Sequence, residues 1–127
     1  MKIPRSLPFE VSRRMTLFLF SNSANYYIIF RDNGRTGLKA RRFLISGRVQ
    51  GVAFRYFTER VACSLNVTGW VRNLPDGVVE ALAQGPDEAL EIFYKKMREG
   101  PPAARVSDVQ VFDVPADPSI ARFRITY

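Results

Sequence analysis

The sequence predicts an α+β domain: one antiparallel sheet with two helices on a single face. Three observations predict it. Short stretches of alternating apolar and polar residues recur with turn signals between them, the period-two pattern of half-buried strands. Two longer stretches repeat their apolar residues at helical spacing. These stretches follow one another in the order β-α-β-β-α-β from Lys39 onward.

The first 38 residues differ from the rest. They carry six basic and two acidic side chains, whereas residues 39–127 carry thirteen and ten. Met15–Phe20 and Tyr26–Phe30 are apolar and are split by Ser21–Asn25. This could be a weak hairpin, and Tyr26–Phe30 could add a strand to an exposed sheet edge. Arg13 and Arg14 precede the first apolar run, as in a signal peptide, but that run is short and no small-x-small site follows it. Residues 1–38 are expected to be a poorly ordered N-terminal extension, dispensable for folding and catalysis, and 39–127 the domain. No stretch is long enough to span a membrane.

Within the domain each element has its own signal. Phe43 and Ile45 alternate in Arg41–Ser46, which reads as a strand. Gly47–Ala53 is a glycine-containing loop. Phe54–Leu65 is helical, with Phe54, Phe57, Val61, Ala62 and Leu65 on one face, and Cys63 is expected to be buried in it. Val67–Arg72 and Val78–Ala83 form a hairpin around Asn73-Leu74-Pro75-Asp76-Gly77, where Pro presets φ and Gly supplies a positive φ. The second helix opens at Pro86-Asp87-Glu88 and turns Leu90, Phe93, Tyr94 and Met97 inward. It closes on Lys95, Lys96, Arg98 and Gly100 before Pro101-Pro102. Val106–Phe112 and Arg122–Tyr127 are the remaining strands, expected to share the last edge of the sheet. The order is that of the ferredoxin-like βαββαβ sandwich.

Absences narrow the chemistry. The chain has no histidine and one cysteine, which removes His bases, His-ligated metals and internal disulfides. The residue six after Cys63 is Gly69, so there is no Cys-x5-Arg phosphatase loop. No Asp-x-Asp pair occurs, and Gly47-x3-Gly51 is not a Walker loop. The net charge of +7 favours anionic partners, but the domain itself is only mildly basic.

Two places remain. A strand running into Gly47–Ala53 and then a helix can turn several N–H groups toward one point, with Arg55 in the first helical turn. That is an anion site, or else a tight turn with a solvated arginine. Asn73, at a strand end, offers both a donor and an acceptor and can hold a water, or else it bonds its own turn. Such an apparatus suits a substrate with a good leaving group.

Gly47-Arg48-Val49-Gln50-Gly51-Val52-Ala53-Phe54-Arg55 resembles the acylphosphatase signature Gly-x-Val-Gln-Gly-Val-x-Phe-Arg. Gly69-Trp70-Val71-Arg72-Asn73, with Gly77, Val79 and Gly85, resembles the second signature of that family, and the likeness covers roughly 39–127. The resemblance implies hydrolysis of the carboxyl–phosphate bond of acyl phosphates, carbamoyl phosphate among the candidates. Arg55 and the backbone amides of Gln50, Gly51, Val52 and Ala53 would hold the phosphoryl group, and Asn73 would orient the attacking water. It implies no metal, no cofactor and no phosphoenzyme, with inorganic phosphate as product and competing ligand. A cytoplasmic monomer without nucleic-acid or membrane partners is expected. The rival is a ferredoxin-like RNA-binding or accessory module. Arg41–Ser46 and Val106–Phe112 lack the aromatic run that RNA recognition needs.

Overall fold

A computed structural model describes the backbone of residues 15–22 and 25–32 and all of residues 38–127. Strands β1 (Met15–Asn22) and β2 (Asn25–Asp32) pair antiparallel with Met15 opposite Asp32 and Asn22 opposite Asn25, as a two-stranded sheet of their own. The expectation of poor order also covers residues 1–14, 23–24 and 33–37, which lie outside the described residues.

The domain consists of β3 (Lys39–Arg48), α1 (Phe54–Ser64), β4 (Thr68–Asn73), β5 (Val79–Gly85), α2 (Asp87–Glu99), β6 (Arg105–Val114) and β7 (Phe123–Ile125). Its sheet runs β6-β3-β5-β4-β7. Each neighbouring pair among β6, β3, β5 and β4 is antiparallel, and these four strands form the βαββαβ core with both helices. Each crossover helix skips one strand, because β5 lies between β3 and β4 and β3 lies between β5 and β6.

Two expectations are corrected here. The sheet is mixed, because β7 pairs parallel with β4 through Gly69–Phe123, Trp70–Arg124 and Val71–Ile125. The last two strands hold opposite edges, not one. Residues 115–122 between them carry the chain from the β6 edge to the β4 edge.

One face of the sheet carries the core. Phe43, Ile45, Val71, Val79, Ala81, Ala83 and Phe123 are buried against Val61, Ala62 and Leu65 from the α1 segment and Leu90, Phe93 and Met97 from α2. Phe93 lies at the centre, its ring 5.0 Å from that of Phe43 and 6.2 Å from that of Phe123. Truncating such a buried phenylalanine typically costs about 3–5 kcal/mol. In α1 the inward stripe is Phe54, Thr58, Val61 and Ala62, with Phe57 only half-buried. Cys63 is exposed, contrary to expectation. It falls on the solvent stripe with Tyr56 and Arg60, because 56, 60 and 63 share one helical side. Partial burial and then the Glu59 carboxylate push its thiol up.

The helix-free face is held differently. Glu80 is buried on β5 and takes Arg42 from β3 at 2.5 Å and Arg72 from β4 at 2.7 Å. Burial pushes its carboxyl up, but the two guanidinium hydrogen bonds outweigh that and hold it below the ordinary glutamate range. Arg72 also lies over the Trp70 ring and Arg42 over Phe112. Ion pairs and cation–π contacts thus bridge four strands across the face.

Candidate active site

The loop after β3 is built to leave its amides free. Val49 is buried and anchors it. Gly51 has φ 75°, where an L side chain is disfavoured, and a Cβ there would meet nothing within 4 Å. Ala53 also has a left-handed backbone, φ 62° and ψ 27°, and it occupies the N-cap of α1 without offering a side-chain acceptor. Left-handed geometry at a non-glycine residue costs about 1–2 kcal/mol, which the surrounding packing sustains. The first N–H to find a helical partner is that of Phe57, on the Ala53 carbonyl at 3.1 Å. Among the described residues, no acceptor meets the N–H groups of Gln50 through Tyr56. Free amides at the positive end of a helix are the groups an anion cradle needs.

Arg55 stands in the first turn of α1. Its Nη1 donates to the carbonyl of Thr126 at 3.4 Å, and its guanidinium carbon lies 4.8 Å from the centroid of the Tyr127 ring. No carboxylate among the described residues neutralises it. Thr126 is itself fixed, its N–H donating to the Val71 carbonyl at 2.8 Å. The chain just beyond β7 therefore holds the arginine in place from β4.

Asn73 ends β4 on the same face as Val71, the face that carries the helices. Its Oδ1 is buried and accepts no hydrogen bond. No group of the turn donates to it, so the side chain is not serving its own turn. The turn has other supports: Leu74 N–H donates to the Val78 carbonyl at 2.8 Å and Val78 N–H to Asp76 Oδ1 at 3.1 Å.

Gln50 joins the two halves. Its Nε2 donates to the carbonyl of Leu74 at 2.7 Å and to that of Val78 at 3.0 Å. The loop is thereby tied to the turn directly after Asn73. Arg55 reaches the same strand through Thr126 and Val71, two residues before Asn73. The structure thus gathers Gln50–Ala53, Arg55 and Asn73 around the C-terminal end of β4.

The model of the family described as Acylphosphatase matches residues 41–125. The chain belongs to the acylphosphatase family. It is similar to the acylphosphatase of Koribacter versatilis (strain Ellin345), at 47% identity over 87 residues, 68% of this chain and 79% of that protein. The acylphosphatase of Nitrosococcus oceani is 59% identical over 69 residues, 54% of this chain and 78% of that one. The crystal structure of acylphosphatase from Bacillus subtilis superposes with a TM-score of 0.68 at 40% identity, covering 70% of this chain and 99% of that one. Like its family, the chain is an acylphosphatase in activity: it hydrolyses acyl phosphates to carboxylate and inorganic phosphate.

Three acylphosphatase site features escaped the sequence reading. The side chain of Gln50 acts as a tether, although only its backbone amide was expected to matter. Thr126 and Tyr127 pack on Arg55 from 71 and 72 residues further along the chain. Ala53 is left-handed, and no residue type there announces it. The closing run Phe123–Tyr127 was visible as a strand, but its parallel pairing with β4, which brings it to Arg55, was not.

Proposed function

We propose that this acylphosphatase divides the reaction between two sets of groups. Arg55 and the amides of Gln50, Gly51, Val52 and Ala53 bind the phosphoryl group. Asn73 orients the water. The observation that carries this reading is the buried, unpartnered Oδ1 of Asn73 beside the tethered loop. An acceptor there takes a hydrogen bond from water and turns its lone pair toward phosphorus.

The attack is in line. The water oxygen bonds to phosphorus while the bond from phosphorus to the acyl oxygen breaks. The bond electrons leave with the carboxylate, and the water proton ends on the phosphate product. Charge spreads over the phosphoryl oxygens in the transition state, where fixed N–H dipoles and a guanidinium stabilise it without reorganising. A carboxylate leaves without a proton, so the lack of histidine is no obstacle. Positioning supplies much of the remaining acceleration.

The reading includes independence of metal. The sequence has no histidine, and no group of three His, Cys, Asp or Glu among the described residues is placed to hold an ion. It also includes a cytoplasmic monomer with inorganic phosphate as competing ligand. Among the described residues no helix is long and apolar enough to cross a membrane. The test is phosphate release from an acyl phosphate and from an alkyl phosphomonoester, with and without chelator. Release from the acyl phosphate alone, unchanged by chelator and inhibited competitively by inorganic phosphate, is expected. Activity that a chelator removes and a divalent ion restores contradicts it.

A further inference from the structure

A cleft of about 320 Å³ opens on the helix-free face, between the start of β4 and residues 119–122. Gly69, Trp70, Ser119, Ile120, Arg122 and Arg124 line it. None of Gln50–Arg55 or Asn73 does. Its single link to the cradle is Thr126, which also lines it and whose carbonyl receives Arg55.

The walls of this cleft are fixed. Gln84, almost wholly buried, grips the backbone of Asp117 from both sides: its Oε1 accepts the Asp117 N–H at 2.6 Å and its Nε2 donates to the Asp117 carbonyl at 3.0 Å. The same carbonyl accepts the N–H of Ile120 at 3.1 Å. At the other end the Arg122 carbonyl accepts the N–H of Gly69 at 3.1 Å. Gly69 is required there, because it has φ 139° and a Cβ would collide with the Leu82 carbonyl. Residues 117–122 are therefore clamped against β4 at two points.

The chemistry of the lining is uneven in charge. Among the described residues Arg122 and Arg124 form no ion pair. The neighbouring carboxylate, Asp117, is turned onto its own loop, where it accepts the Ser119 N–H at 3.0 Å and the Ser119 hydroxyl at 2.6 Å. Arg42 and Arg72, on the same face, are spent on Glu80. The cleft thus sets two unneutralised guanidinium groups beside an indole and an isoleucine. Guanidinium groups fork onto phosphate oxygens and stack on planar rings, and an indole offers a ring a large apolar wall. A volume near 300 Å³ sits at the small end of ligand sites.

We propose that this cleft is a second binding site, for a small aromatic phosphate of mononucleotide size. The ring lies against Trp70 and Ile120, and the phosphate meets Arg122 and Arg124. The site is separate from the acyl phosphate cradle and does not depend on the roles given to Arg55 and Asn73.

Trp70 is the only tryptophan in the chain, so its fluorescence reports on the cleft directly. The experiment titrates the full chain with adenosine 5′-monophosphate, and separately with adenosine and with inorganic phosphate. A saturable change with half-saturation at or below about 1 mM is expected for the nucleotide, with at least tenfold weaker responses to either half alone. The response should persist in Arg55→Ala. It should vanish in Arg122→Ala/Arg124→Ala, whose continued hydrolysis of acyl phosphate shows that it is folded. No response up to about 10 mM overturns the proposal. So does a response that Arg55→Ala abolishes, because the nucleotide then sits in the cradle. A folded Arg122→Ala/Arg124→Ala chain with an intact response overturns it as well. If the double variant loses hydrolysis, the single variants Arg122→Ala and Arg124→Ala decide: each should weaken nucleotide binding several-fold, and unchanged binding in both overturns the proposal.

Discussion

The guanidinium of Arg55, in the first turn of α1, lies 4.8 Å from the centre of the Tyr127 ring. With the Thr126 carbonyl at 3.4 Å, this contact fixes the direction of the one charged side chain in the cradle. The ring itself is almost fully exposed, so its burial adds little and its role is orientation. Tyr127→Ala should lower kcat/KM by about two- to fivefold, the value of an exposed cation–π contact of about 0.5–1 kcal/mol. Arg55→Ala should go much further and weaken phosphate inhibition as well. Steady-state kinetics with inorganic phosphate as inhibitor check both. A Tyr127→Ala chain with wild-type kcat/KM would show that Thr126 holds the arginine alone.

Gln50 makes a different prediction, because it touches both halves of the site. Gln50→Ala removes two hydrogen bonds to Leu74 and Val78. The loop and the turn after Asn73 then move independently. Both kcat and phosphate affinity should fall, with a loss of stability of about 1–2 kcal/mol from the freed carbonyls. Gln50→Glu cannot donate to those carbonyls and should be no better than Gln50→Ala. A Gln50→Ala enzyme that loses stability but keeps phosphate affinity would make the tether merely structural.

Glu80 gives a pH dependence. Its folded carboxyl titrates below the ordinary glutamate range despite its burial, because Arg42 and Arg72 bond it. A group depressed on folding stabilises the protein above its unfolded pKa, and the gain is lost as pH falls through the folded value. Stability should therefore decline as pH drops below the ordinary glutamate range, and Glu80→Gln should flatten that acid limb. At neutral pH the variant should lose about 1–2 kcal/mol, a modest figure because both arginines are nearly half exposed. Denaturant midpoints across the acid range measure this. An acid limb as steep in Glu80→Gln as in the parent would assign it to other carboxylates.

Residues 1–38 stand outside the span that matches the family, and the five-stranded sheet with both helices is complete from Lys39. We propose that a chain of residues 39–127 folds and hydrolyses acyl phosphate. Its kcat/KM should match the full chain, with a thermal midpoint lowered by less than about 8 °C, the shift expected for roughly 1–2 kcal/mol in a domain of this size. A larger drop would make the β1–β2 hairpin part of the fold.

Much of this was legible in the residues themselves. Both helices declared themselves by period, and α2 by its acidic first turn and Gly100 stop. The strand–glycine loop–helix order announced an anion site, and Asn73 stood out at its strand end. Pairing was not legible where it depended on distant chain. Nothing in Phe123–Ile125 says that it lies parallel to β4 at the edge opposite β6, so the contact of Tyr127 with Arg55 was invisible. Cys63 was misjudged because an apolar thiol near Ala62 suggests burial, whereas its angular position on α1 decides exposure. The left-handed turn at Ala53 is imposed by the helix start and the anchored loop, not by its own residue type.

The central claim is that binding and water activation belong to different residues, and Asn73→Ala tests it most directly. Its Oδ1 meets no donor from the protein, so removing it breaks no contact within the fold and should not lower the thermal midpoint. The measurement is kcat for an acyl phosphate alongside the inhibition constant for inorganic phosphate in the same protein. A fall in kcat of about 10²–10³, the usual loss when one preorganised polar contact is removed, with phosphate inhibition nearly unchanged, is the predicted result. An Asn73→Ala enzyme with near-normal kcat, or one in which kcat and phosphate affinity fall together, would contradict it.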